Sequence, residues 1–195
     1  MKKLIGILSI LFLLSGVGYA GATVIDFESF GTGAIVSGPG VFSDLVLSAG
    51  QTSVIAVPAV PGPDFSGKMS AAGSSFTHED PFRVDFLIAG VNSFSVVMGD
   101  YNADTDNLFV RAYNSSNILL DEELFVLSNS TYGGPTMSVN GINIAYVLFG
   151  STGTYNNSVY IDNIAYDQTA VPEPATLLLF GLGLIGLAGL KKRVK

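Results

Sequence analysis

Phe82-Arg-Val-Asp-Phe-Leu-Ile88 sets Phe82, Val84, Phe86 and Ile88 in alternation with Arg83, Asp85 and Leu87. A period of two sends successive side chains to opposite sides of an extended backbone, so the stretch predicts a β-strand with one buried face. Phe94, Val96 and Met98 repeat the pattern against Ser93, Ser95 and Val97. Working outward, apolar or alternating runs recur at residues 108–113, 118–127, 142–149 and 159–166, and earlier at 23–30, 41–47 and 53–57. Clusters of Asn, Gly and Ser separate them, and helical periodicity does not recur. About nine short strands with turn signals between them predict an all-β fold, an antiparallel β-sandwich over residues 23–167. The proline-rich stretch 57–67 predicts a long surface loop between early strands.

Charge narrows the partners. The whole chain carries a net −7, but the segment from Thr23 to Ala170 holds only Lys68, Arg83 and Arg111 against 15 acidic residues, a net −12. So acidic a body excludes nucleic acid and anionic lipid as partners and fits solubility or cation binding outside a cell. The chain has no cysteine, which removes disulfides, thiol nucleophiles and Cys-ligated metals. Stability must come from a hydrophobic core, and a body of this length is large enough to bury one.

Both ends have their own chemistry. Lys2 and Lys3 precede an apolar run from Leu4 to Leu14, followed by small residues around Ala20 and Ala22. Residues 1–22 therefore form an expected secretory signal peptide, cut by signal peptidase after Ala20 or Ala22. At the other end, residues 168–171 are a short linker to Pro172-Glu173-Pro174, after which Ala175 to Leu190 carries no charge and Lys191, Lys192 and Arg193 begin a basic end. The prolines favour extended backbone that an enzyme can grip. As a helix, residues 175–190 reach roughly 24 Å against a hydrocarbon core of about 30 Å, a marginal transmembrane helix. The basic residues act as a stop-transfer and hold the C-terminus inside, leaving the body outside. Gly181, Gly183 and Gly186 spell G-x-G-x-x-G within this apolar run, but no strand precedes them and no acidic residue follows, so they make no dinucleotide site.

This order of triplet, apolar helix and basic end over residues 172–195 resembles the PEP-CTERM sorting signal of exported bacterial proteins. The resemblance implies an exosortase as partner, cleavage near Pro172, Glu173 and Pro174, transient residence in the inner membrane, and delivery to the cell surface or extracellular matrix. Three segments of the body, 24–28, 90–98 and 159–164, resemble jelly-roll domains of the galactose-binding type. That resemblance implies first and last strands lying together, with Asp26, Glu28 and Asp162 at positions that can hold a structural calcium. Solvated edge charges and local backbone hydrogen bonds explain the same residues.

A second acidic group, Asp100, Asn102, Asp104 and Asp106, places an oxygen ligand at every other residue, as at the start of an EF-hand loop. Thr105 then stands where the turn glycine belongs and Arg111 where the bidentate glutamate belongs, so a solvated turn fits equally well. No cofactor is required on this reading, with calcium as the one candidate. His78 is the only histidine, in Thr77-His-Glu-Asp-Pro81, which rules out a His-pair zinc site. Tyr132 and Tyr155 sit in Gly- and Asn-rich loops and are the candidates for stacking on sugar rings, while the tyrosines in the strand runs are assigned to the strands themselves. Asn114, Asn129 and Asn156 occupy Asn-x-Ser/Thr sequons. Together these features lead to a non-enzymatic exported sandwich with a structural or adhesive place in the envelope or exopolysaccharide matrix. The alternatives are a carbohydrate-binding module, with or without calcium, and a secreted hydrolase with no recognisable site.

Overall fold

A computed structural model describes residues 21–58, 69–74, 80–99, 105–128 and 134–168. The expected signal peptide, apart from its last residues, and the whole sorting tail lie outside them. Among the described residues there are eleven strands and no helix: β1 (Ala22–Ile25), β2 (Leu45–Ser48), β3 (Val54–Pro58), β4 (Met69–Gly73), β5 (Phe82–Phe86), β6 (Val91–Gly99), β7 (Asp106–Tyr113), β8 (Leu119–Leu127), β9 (Thr136–Asn140), β10 (Tyr146–Thr152) and β11 (Tyr160–Gln168). All pairings are antiparallel. One sheet runs β3-β4-β11-β6-β9, with β1 also on β11; the other runs β2-β5-β10-β7-β8. The predicted all-β antiparallel sandwich is therefore present.

Alternation explains which side chains meet between the sheets. In β5, Phe82 and Val84 are buried while Arg83 and Asp85 are half-buried, and in β10, Val147 and Phe149 are buried beside half-buried Tyr146 and Leu148. Phe149 stacks on Phe82 with ring centroids 5.6 Å apart and meets Phe94 of the opposite sheet at the same distance. This triplet sits in a continuous core with Leu45, Leu47, Met98, Met137 and Ile161. A second tie crosses the sandwich where Tyr166 of β11 donates its hydroxyl to Asp44 Oδ2 at 3.1 Å, just before β2. Burial pushes the Tyr166 phenol above its ordinary value, so it remains the protonated donor.

The pairing of first and last strands is present as Ala22↔Asp167 through Ile25↔Ile164. β1 and β4 lie on the same side of β11, and an irregularity between Asp162 and Ala165 separates them, where Asn163 takes φ 46°. Asn tolerates this left-handed backbone better than most residues. The first strand is shorter than its sequence predicts because Phe27 adopts φ 57°, turning the chain so that its own ring enters the core at 1% exposure. Its carbonyl accepts the Phe30 N–H at 3.1 Å, and its ring meets Phe42 edge-on at 6.4 Å.

Two strands fall outside the nine runs. β4, Met-Ser-Ala-Ala-Gly, is buried at three consecutive residues, so it has no alternation to detect. β9 does alternate, with Met137 and Val139 buried between exposed neighbours, but it has only two apolar side chains. β9 is an edge strand, and carboxylates from β8 of the other sheet cover its outward N–H groups. Asp121 Oδ2 accepts the Asn140 N–H at 2.8 Å, and Glu123 Oε2 accepts that of Ser138. Charged caps of this kind protect an edge from pairing with another chain.

Candidate functional site

The outward residues of β5, β10, β7 and β8 share the solvent face of the five-stranded sheet, and strand register fixes their rows. Asp85, Tyr146 and Tyr113 form one row. Arg83, Leu148, Arg111 and Glu122 form the next. Three interstrand steps of about 4.8 Å give the second row a length of roughly 14 Å.

Within these rows, planar groups lie against one another. The Tyr113 and Tyr146 rings are stacked with centroids 4.8 Å apart and planes 8° from parallel. The Arg83 guanidinium covers Tyr146 at 3.8 Å, held by a two-pronged contact to Asp85 at 2.7 and 2.5 Å. That hydrogen bond is the largest influence raising the Arg83 pKa above its ordinary value, so the group is a fixed cation. Arg111 repeats the motif, with its guanidinium 4.6 Å from the Phe109 ring and its Nε donating to Glu122 at 2.5 Å. Tyr146 Oη donates to Asn117 Oδ1 at 3.1 Å, reaching the hairpin turn where Asn114 Oδ1 accepts the N–H groups of Ser116 and Ile118.

Two Arg and two carboxylates cancel, so this strip is locally neutral on an acidic body. Tyr146 of β10 stands between Arg83 of β5 and Tyr113 of β7, so its ring faces are taken up within the strip, which offers ring edges and fixed donors and acceptors to a polar ligand. At one end Gly150 leaves room for Asn157, whose Oδ1 lies 2.2 Å from where a Cβ would stand. The close approach seats the β10–β11 turn against the sheet and leaves Tyr155 at 46% exposure.

Following Gln168 by one residue, residues 170–193 match the model of the PEP-CTERM protein-sorting motif. This chain carries a PEP-CTERM sorting signal. The match contains Pro172, Glu173 and Pro174 together with Lys191, Lys192 and Arg193. It marks an exported protein with a C-terminal membrane-anchoring signal of the kind that exosortases process. Because Ala22 pairs with Asp167, the start of β1 and the end of β11 lie at the same end of the sheet.

No curated protein matches the chain. Among solved structures it is similar to the CBM22-1–GH10 modules of endo-1,4-β-D-xylanase 10B from Clostridium thermocellum, at 12% identity over 76% of this chain and TM-score 0.46. The chain spans only 28% of that protein. It is also similar to a xylan-binding domain from CBM 22 (14% identity, 80% of this chain, 97% of that one, TM-score 0.43). A third is the K1 cleaved adhesin domain of Lys-gingipain from Porphyromonas gingivalis W83 (15% identity, 75% and 97%, TM-score 0.42).

The described calcium candidates, Asp26, Glu28, Asp106 and Asp162, are not part of the aromatic strip. Asp26 Oδ1 accepts the Glu28 N–H at 3.2 Å and Glu28 Oε1 accepts that of Met69 at 3.0 Å, so both acids bond to backbone. Asp162 is fully buried in β11, its Oδ1 accepting the Asn163 N–H at 2.7 Å. Asp106 is buried at the start of β7, while Asp100, Asn102 and Asp104 lie outside the described residues. Among the described residues no three His, Cys, Asp or Glu side chains gather as metal ligands. His78, Tyr132, Ala20, the Pro-Glu-Pro triplet and the basic tail also lie outside them. Among the described residues no helix is long and apolar enough to cross a membrane, and the expected span at 175–190 is not among them. Ala22 is the first residue of β1.

On sequence alone Tyr146 is placed in a strand, and neither Tyr113 nor Tyr146 is taken as a stacking candidate. For Tyr113 the alternation at 108–113 carries the signal, since Leu108, Val110 and Ala112 are buried opposite Arg111 and Tyr113; Tyr-Val-Leu-Phe at 146–149 does not alternate, and only the fold turns Tyr146 outward.

Proposed function

We propose that this chain is a non-enzymatic exported sandwich, sorted by an exosortase, that serves as a structural or adhesive component of the cell envelope or exopolysaccharide matrix. The sorting signal at 170–193 carries this reading, because it gives the protein a route through the membrane and an end that can be removed. Its contact with the matrix is made by the Arg83–Tyr146–Tyr113 strip. Sugar hydroxyls match donors and acceptors such as Arg83, Asp85 and Asn117, which the stacked Tyr113 and Tyr146 rings hold in a fixed array. The carboxylates of this face, Asp85 and Glu122, are each held by an arginine, an arrangement that favours recognition over proton transfer.

Affinity electrophoresis of the full chain through gels containing the producing cell's own extracellular polysaccharide tests the contact. The unmodified protein should be retarded, and Tyr146→Ala should weaken retention roughly tenfold, because the ring that holds Arg83, Tyr113 and Asn117 in place is lost. Equal mobility of the two proteins in the polymer would remove this face from the reading.

A further inference from the structure

The two sheets end in unlike edges on the side where β8 lies near β9. The β9 edge is capped by Asp121 and Glu123, as described above. Among the described residues β8 is itself the last strand of its sheet, and no strand pairs with its outer edge. There, three successive apolar side chains are exposed: Leu124 at 65%, Phe125 at 42% and Val126 at 63%. No Lys or Pro interrupts them, the residues that ordinarily protect an open edge.

Backbone direction follows from one hydrogen bond. The Glu122 N–H is accepted by Asp121 Oδ1 at 2.9 Å, so Glu122 turns its backbone away from its β7 partner Arg111. In an antiparallel ladder, residues two apart direct their N–H and C=O to the same side. Leu124 and Val126 therefore present both groups to the open edge.

We propose that residues 124–126 of β8 pair antiparallel with the same residues of a second copy of this chain, about a two-fold axis at Phe125. In this register Leu124 and Val126 exchange backbone hydrogen bonds with Val126 and Leu124 of the other copy, and the two Phe125 side chains meet as a close non-hydrogen-bonded pair. The charge pattern selects the register. An axis shifted to Glu122 would set acidic residues opposite one another, whereas the axis at Phe125 moves Glu122 and Glu123 opposite Ser128 and Leu127. A two-fold contact must be self-complementary, and this segment is. So short a pairing buries far less than the roughly 1,600 Å² of a standard interface, so the association is weak and strengthens where copies are concentrated on a surface. Because each body is strongly acidic, salt should strengthen the dimer by screening repulsion.

The absence of cysteine makes the test clean. In the full chain, kept in mild nonionic detergent, Phe125→Cys should give a disulfide-linked dimer on gentle oxidation. A control cysteine at Leu87, which is 60% exposed on another element, should remain monomeric. Adding Leu124→Lys and Val126→Lys to Phe125→Cys should cut the crosslinked fraction about tenfold, since several cross-strand pairs are lost together. Equal crosslinking of the Phe125 and Leu87 variants, or crosslinking unaffected by the two lysines, would overturn the proposal. Sedimentation of the unsubstituted chain gives a readout free of any folding defect in the variants. A monomer–dimer equilibrium that tightens with added salt supports the proposal, and a monomer at every concentration and salt level contradicts it.

Discussion

Phe149→Ala is expected to cost about 3–5 kcal/mol of stability, the range for losing a fully buried phenyl ring. The ring is fully buried and lies 5.6 Å from both Phe82 and Phe94, so it joins the two sheets as well as filling space between them. Its removal takes away the transfer free energy of a phenyl group and leaves a cavity that rigid strands on both sides cannot close. For a domain of this size the melting temperature should fall by on the order of 10 °C. Leu148→Ala, one residue earlier on the outer face of β10, should cost less than about 1.5 kcal/mol, because its side chain is only half-buried. Urea denaturation of both variants measures the difference. Equal losses would mean that the inward and outward faces of β10 are wrongly placed.

Replacing Pro172, Glu173 and Pro174 together by alanine is expected to abolish C-terminal processing while leaving the body folded. The triplet lies inside the matched sorting signal and follows β11, which ends at Gln168. The substitutions therefore touch none of the sandwich's strands. Alanines would let the segment continue as helix toward residue 175, removing the extended backbone that an enzyme can grip. The protein should be exported normally and then accumulate in the membrane fraction with its basic end still attached. Immunoblotting of membrane and extracellular fractions checks this. Unchanged release of the variant would show that the triplet does not direct processing.

The parts of this molecule that the sequence discloses are those governed by local pattern. Alternation at 82–88 and 93–98 marks β5 and β6 because each has one wet and one dry face. β4 escapes the same test because Ser70, Ala71 and Ala72 are all buried, a condition that arises only when other parts of the chain cover both faces. The early end of β1 depends on Phe27 at positive φ, a conformation that costs a bulky residue energy and is kept by the packing of its ring. The candidate face was half-legible. Parity predicts that Arg83, Arg111 and Tyr113 face outward. Only sheet order brings β5, β10 and β7 side by side, so only the fold places Arg83 over Tyr146 and Tyr146 over Tyr113. The acidic pairs were visible as charges but not as caps, since Asp121 and Glu123 find their partners on a strand of the other sheet.

Placement also bears on how export and folding meet. Ala22 and Asp167 are partners in the ladder, so cleavage after Ala20 would keep β1 whole while cleavage after Ala22 would remove its first residue. The sorting signal begins three residues beyond Asp167, after the last residue of β11.

On the proposed function this sandwich is cargo carried by a removable C-terminal signal. Mass spectrometry of both termini of the mature protein, recovered from the cell surface or surrounding matrix, is the decisive test. The mature chain should begin close to Gly21 and end near Pro172–Pro174, without Lys191, Lys192 or Arg193. An intact Lys195 on protein isolated outside the membrane would contradict it.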